Sequence, residues 1–202
     1  IFRLLLLLAL FLGFRASGQD LLQMKSKLAV KISDTTRLRV LNELAEYFFT
    51  NLEYDSCKKY AENALQLSQG LLAGDAVKKD AAYAIICKKY WARSMGNLAT
   101  TLMTSHTKAA LDSFRIVEQY YAATGNKDEL ALTYQRMGET YANQNNNASS
   151  IANFNKSLGL YQALKNRNKI AYLYYNISLT QRGMAMYEDA LESNLKSLEI
   201  TK

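Results

Sequence analysis

A pattern of residues that recurs at an interval of 40 positions constrains the fold of this chain more than any other feature. Tyr134 and Met137 reappear 40 positions later as Tyr174 and Ile177. Their spacing of three places each pair of side chains on one face of a helix. A second amphipathic segment follows each pattern after a turn-like stretch, such as residues 143–147. Each repeat is therefore predicted to be a helix–turn–helix unit.

Two less regular copies precede these repeats. One opens with Leu41 and Leu44, and Asp34 just before it is a candidate helix N-cap. The other opens with Tyr83, but its two helices are joined by residues 94–106, which is too long for a simple turn. Either the first helix runs on through this join, or a short extra turn begins near residues 95–97.

The composition favours an all-α fold. The 202 residues include no proline, so the chain has few forced breaks, and 49% of the residues are hydrophobic, which is enough for a continuous core. Small residues recur where the two helices of each pair would cross, and close packing of helix axes requires small side chains there. The positions are Ala45, Cys87, Gly138 and Ser178, facing Cys57, Ala110, Ser150 and Ala190.

The order of these residues resembles the tetratricopeptide repeat. A large aromatic residue, Leu or Met, a small residue and Tyr are followed by another small residue and a later aromatic. Residues 133–164 and 171–200 resemble that repeat most, and residues 37–69 are similar. The resemblance implies a right-handed solenoid of about four antiparallel helix pairs. The interval exceeds the about 34 residues of that family and also suits HEAT-like pairs, which remain an alternative.

The N-terminus has the pattern of a secretory signal peptide. Arg3 precedes an apolar run over residues 4–12, and small residues at 16–18 would allow cleavage before Gln19. We expect export to the periplasm or cell envelope. The predicted organisation lists residues 1–18 as signal peptide, 19–33 as a leading helix and 34–202 as the repeat domain, with repeats near 34–70, 73–124, 127–165 and 167–202. The apolar closing helix at 187–202 predicts that more protein follows.

The charges do not favour nucleic-acid binding. The formal net charge is +7, but Lys and Arg are scattered in ones and twos among acidic residues, whereas a nucleic-acid interface gathers them on one face. We expect contact with a membrane only through the signal peptide or through a span beyond residue 202.

The sequence offers no catalytic, cofactor or metal site, and we expect the chain not to be an enzyme. His106 is its single histidine and has no nucleophile or orienting group arranged around it. Cys57 and Cys87 lack the spacing of a zinc site. Small-residue packing is favoured for both cysteines, and a disulfide between them remains the alternative in an exported chain.

Binding of a protein or peptide partner is the predicted function. In the resembling family the opening helices line a concave groove. Residues one position away from the core face of these helices are the candidates for partner contact: Asn42, Glu46, Phe49, Lys88, Trp91, Gln135, Glu139, Tyr175 and Arg182.

The long repeats, preceded by the sequence Asp-Thr-Thr-Arg, also resemble exported repeat arrays of Bacteroidetes-type signalling proteins. In those proteins the array precedes a membrane span and a histidine kinase or DNA-binding module. The resemblance implies a sensory region of a larger protein. A stand-alone envelope scaffold or assembly protein is the alternative.

Overall fold

Ten helices and no strand make up residues 18–201, the part of the chain that this computed structural model describes. The all-α prediction is confirmed. The predicted signal peptide lies outside the described residues except for Gly18. None of the described helices is both long and apolar enough to cross a membrane. The helices are α1 (Gly18–Ala29), α2 (Asp34–Thr50), α3 (Tyr54–Ala73), α4 (Asp75–Lys79), α5 (Ala81–Thr101), α6 (Thr107–Thr124), α7 (Lys127–Asn143), α8 (Asn147–Ala163), α9 (Arg167–Gly183) and α10 (Tyr187–Ile200).

The helices belong to two compact units. The N-terminal unit, residues 14–102, contains α1 to α5, and the C-terminal unit, residues 103–202, contains α6 to α10. In the N-terminal unit α2 packs on α1, α3 and α5, and α3 also packs on α5. In the C-terminal unit each helix packs on the next one along the chain. The predicted repeat 73–124 contributes one helix to each unit, so its pairing stays a prediction.

The turns of the C-terminal unit follow one plan with a period of 20 residues. Helices α7, α8 and α9 are each 17 residues long, and a three-residue turn precedes the next helix. The last turn residue caps the next helix, because its side-chain oxygen accepts a hydrogen bond from the backbone N–H three residues on. These N-caps are Asn126, Asn146 and Asn166.

The residue before each of these caps is in the left-handed backbone region. The φ angles are 69° at Gly125, 56° at Asn145 and 55° at Lys165. This conformation reverses the chain within three residues, so consecutive helices run antiparallel. The turn before α10 keeps the left-handed residue, with φ 59° at Ala185, but its cap position is Met186, which has no side-chain cap.

The 40-residue interval is visible in the packing as well as in the sequence. Ser157 Oγ donates to the carbonyl oxygen of Ala131 at 2.7 Å, and Ser197 Oγ donates to that of Ala171 at 2.8 Å. The second bond repeats the first at an offset of 40. The same small residue therefore joins the closing helix to the opening helix in both pairs.

Two local predictions from the N-terminal half are resolved by the structure. The cap of α2 is Ser33, whose hydroxyl accepts from the N–H of Thr36, so the prediction of Asp34 as the cap is wrong by one position. Asp34 instead opens the helix, where its negative charge is favourable. Helix α5 runs on to Thr101, so the first alternative for the 94–106 join is the correct one.

The two cysteines are small buried packing residues, as the sequence favoured. Cys57 packs with Ala45 and Phe48 in a core cluster between α2 and α3. Cys87 is fully buried on α5, and burial raises the pKa of its thiol. The structure contains no disulfide between them.

The closest helix–helix approach in the C-terminal unit is at Gly138. A β-carbon at this position would lie 2.6 Å from ring atoms Cδ1 and Cε1 of Phe154, which is itself buried. Glycine allows α7 and α8 to pack with the aromatic ring directly against the α7 backbone.

We predict that Gly138→Ala destabilises the chain by about 1–3 kcal/mol, because the methyl group displaces the Phe154 ring from a packed core. This loss exceeds the helix-propensity gain of about 1 kcal/mol that alanine brings. Gly159→Ala is the matched control. A β-carbon at Gly159 meets nothing within 4 Å, so it should stabilise by about 0.5–1 kcal/mol. Urea unfolding of both variants measures the two effects, and equal effects would contradict this account of the packing.

Candidate partner-binding surface

In the N-terminal unit an ion pair joins two of the helices that carry predicted site residues. Glu46 on α2 accepts two hydrogen bonds from the guanidinium of Arg93 on α5: Nε to Oε1 and Nη2 to Oε2, both at 2.7 Å. The two parallel bonds form the strong bidentate geometry of an arginine–carboxylate pair. Both side chains remain partly exposed, so this pair lies where a partner could reach it.

Asn42, one helical turn before Glu46, is fully buried, and the prediction that it is exposed is wrong. Its amide nitrogen donates to the Leu38 carbonyl and to Ser94 Oγ, and its amide oxygen accepts from Asn97. Helix α2 packs against both α3 and α5, so the arc of α2 that is buried is wider than a single apolar stripe. Asn42 thus ties α2 to α5 inside the unit.

The other predicted residues of the N-terminal unit are accessible. Phe49 is half-buried and meets the ring of Tyr54 edge-on, with 5.9 Å between ring centroids. On α5, Trp91 is half-buried and Lys88 is exposed. These three residues, with Glu46 and Arg93, are the accessible part of the predicted surface in this unit.

In the C-terminal unit a carboxylate gathers three donors. Glu139 on α7 accepts from Gln135 Nε2 at 2.8 Å, from Arg136 Nη1 at 2.8 Å and from the Tyr172 hydroxyl of α9 at 3.0 Å. The side chain of Glu139 is only 14% exposed and that of Arg136 only 19%. Hydrogen bonds to a charged group are the stronger ones, and this cluster joins α7 to α9 as Glu46–Arg93 joins α2 to α5.

Gln135 is also buried, at 2% exposure, and the prediction that it is exposed is wrong. Its position beside Glu139 explains the burial, because the amide nitrogen is drawn to the carboxylate. The donor role of that nitrogen fixes which way the amide is turned. The Gln135 Oε1 atom is buried and accepts no hydrogen bond within the described residues.

The negative charge of Glu139 is also visible in the titration of its neighbour. The Glu139 carboxylate, followed by burial, raises the pKa of Tyr172 well above its ordinary value, since an ionised tyrosine beside a carboxylate would be repelled. Tyr172 therefore remains a hydroxyl donor to Glu139 at neutral pH.

The last two predicted residues lie on α9. Tyr175 is half-buried, and Arg182 is exposed near the C-terminus of the helix. A cation there is favoured by the helix dipole. The structure thus leaves Glu139, Tyr175 and Arg182 accessible in the C-terminal unit.

Three residues of these clusters were absent from the sequence prediction: Arg93, Arg136 and Tyr172. Arg136 precedes Glu139 by three positions, which is a helical ion-pair spacing, so the sequence held a signal for it. Tyr172 and Arg93 pair with residues 33 and 47 positions away, and only the packing of the helices brings these side chains together.

The structure shows no group of three or more metal-ligating side chains among residues 18–201. His106 is exposed at the start of α6, with Nδ1 at 3.0 Å from Ser105 Oγ. The absence of catalysis stays a prediction.

We predict that Glu139→Ala destabilises the chain by about 1–3 kcal/mol, because it leaves Arg136, Gln135 and Tyr172 without their shared acceptor in a partly dry site. Glu43→Ala is the matched control. Glu43 forms an exposed pair with Arg39 one turn away, and such pairs contribute about 0.3–0.5 kcal/mol. Urea unfolding compares them. A loss at Glu139 as small as that at Glu43 would show that the cluster is mere surface polarity.

Comparison with known proteins supports the fold. No family model matches the chain, and no curated protein matches it either. Among solved structures it is similar to BtubC (BKLC) from P. vanneervenii, with a TM-score of 0.66 and 14% identity over 90% of this chain and 72% of that one. The MamA protein, which is TPR-like, matches with a TM-score of 0.47 and 15% identity over 81% of this chain and 91% of that one. At this identity the likeness to BtubC establishes the helical-repeat fold alone.

Proposed function

We propose that the chain is a protein-interaction module that binds a polypeptide partner on the face formed by its opening helices. The observation that carries the proposal is the way these helices are joined. In each unit two helices are joined by charged side chains that remain partly accessible: α2 and α5 through Glu46–Arg93, α7 and α9 through Glu139–Tyr172. Half-buried aromatic residues accompany both pairs.

Fixed polar groups beside half-buried aromatic residues suit the recognition of a peptide. Tyr, Trp and Arg dominate the binding energy of protein interfaces, because they bury a large area at a small entropic cost. Trp91 and Tyr175 would provide such anchors, while the Glu46–Arg93 pair offers hydrogen-bonding groups that are already ordered. Groups that need no reordering on binding lower the cost of association.

The proposal includes no chemistry on the partner. It treats His106, exposed and beside Ser105, as a surface residue. The polar clusters at Glu46 and Glu139 then serve to position helices and to contact the partner.

Site-specific photo-crosslinking in the source cells tests the binding face. A photoreactive phenylalanine analogue at position 91 or 175 should crosslink the same partner protein, identified by mass spectrometry. The same analogue at Glu62 or Asn155, exposed positions on the closing helices α3 and α8, provides the control. Crosslinks at the control positions that equal those at 91 and 175 would contradict the proposed face.

We further propose that this module is exported and forms the sensory region of a larger signalling protein, of the Bacteroidetes-type arrays that the sequence resembles. An alkaline phosphatase reporter fused after residue 20 should be active outside the cytoplasm, and an inactive fusion would contradict export. Reading the coding sequence beyond residue 202 tests the sensory role. A membrane span followed by a kinase or DNA-binding module would support it. Further repeats and a stop codon would favour the alternative, a stand-alone envelope scaffold.

A further inference from the structure

Helix α10 exposes a face that its counterpart in the preceding pair keeps covered. Residue by residue at the offset of 40, Leu198 is 50% exposed where Leu158 of α8 is 9% exposed. Asn194 is exposed where Phe154 is buried, and Leu191 is exposed where Ile151 is half-buried.

In the preceding pair the covering element is a helix. Phe154 and Leu158 belong to one core cluster with Leu173 and Ile177 of α9. The difference in burial between α8 and α10 therefore marks the positions on which a helix equivalent to α9 would lie. We call the four residues at these positions the α10 face: Tyr187, Leu191, Asn194 and Leu198.

One border of the α10 face is acidic. The helical periodicity places three glutamates along the same side of the stripe, next to Leu195. The same positions in α8 hold only small uncharged residues. The three pairs are Glu188 for Ala148, Glu192 for Ala152 and Glu199 for Gly159. With Asp189 and against Lys196, α10 carries four acidic residues and one basic residue, a net charge of −3 in a chain whose formal charge is +7.

We propose that the α10 face docks an amphipathic α-helix of another protein, whose apolar stripe is bordered by Lys or Arg. The apolar residues match the packing that α9 makes on α8, and the glutamate border supplies the complementary charge. Pairing of two α10 faces from two copies of this chain is disfavoured, because it brings two acidic borders together.

The chain itself contains a helix of suitable chemistry for use as a probe. Helix α9 carries Arg167, Lys169 and Arg182 with no acidic residue, and it already packs on the equivalent face of α8. A labelled synthetic peptide with the sequence Arg167–Gly183 can be titrated with the full chain, and binding can be followed by fluorescence anisotropy. A scrambled peptide of the same composition separates specific docking from charge attraction.

The expected result is saturable binding of the peptide and none of the scrambled form. The double substitution Leu191→Ser with Leu198→Ser should weaken binding by about tenfold or more, which corresponds to about 1.4 kcal/mol. Leu195→Ser is the matched control, because position 195 is exposed in α10 and its counterpart Asn155 is exposed in α8. Replacement of Glu188, Glu192 and Glu199 by Gln should weaken binding and reduce its salt dependence.

Three outcomes would overturn the proposal. These are absence of saturable binding by the wild-type chain, equal binding of the scrambled peptide, and equal losses with Leu191→Ser/Leu198→Ser and with Leu195→Ser. Sedimentation that shows a dimer abolished by the double substitution would also overturn it, since the occupant would then be a second copy. All the substituted side chains are exposed, so circular dichroism should confirm an unchanged helix content. Failure here leaves the proposed opening-helix face untouched, because Trp91 and Tyr175 lie outside the α10 face.

Discussion

The close approach of α7 and α8 at Gly138 sets the geometry on which the C-terminal unit depends. With the Phe154 ring against the backbone of α7, the two helices pack near enough for Ser157 on α8 to donate to the Ala131 carbonyl on α7. The packing then extends to α9, because Phe154 shares its core cluster with Leu173 and Ile177. A side chain at position 138 would separate the two helices and disturb both contacts. A small residue of the sequence therefore controls a stack of three helices.

The repeat could be predicted from sequence because helix and turn lengths are constant. Helices of 17 residues and turns of three give a period of 20, so two helices return every feature after 40 residues. Asn caps and left-handed turn residues keep this count from drifting, since each turn has one way to close. The interval is longer than that of the tetratricopeptide repeat because these helices are longer, while the order of large and small residues is similar.

The candidate surface was only partly predictable, and the reason is physical. The sequence pattern identifies one apolar stripe for each helix, but α2 packs on three neighbours and α7 also bonds to α9 through Tyr172. Residues at the edge of the stripe, such as Asn42 and Gln135, are buried by this second contact. Partners that come from distant positions, such as Arg93 for Glu46, leave no local signal. Helix periodicity predicts which side faces the core, but the packing of neighbours determines how much of the helix is covered.

The polar clusters and the α10 face place opposite demands on a partner. The carboxylates of Glu46 and Glu139 already have cationic and hydroxyl donors within their own unit, so a segment bound beside them needs no strong charge of its own. On α10 Lys196 is within 2.6 Å of Glu192, but Glu188 and Glu199 add acidity that this single lysine cannot balance. A partner of α10 must therefore bring positive charge with its apolar residues. The two surfaces are consequently suited to different ligands, and a chain that holds both can join two partners.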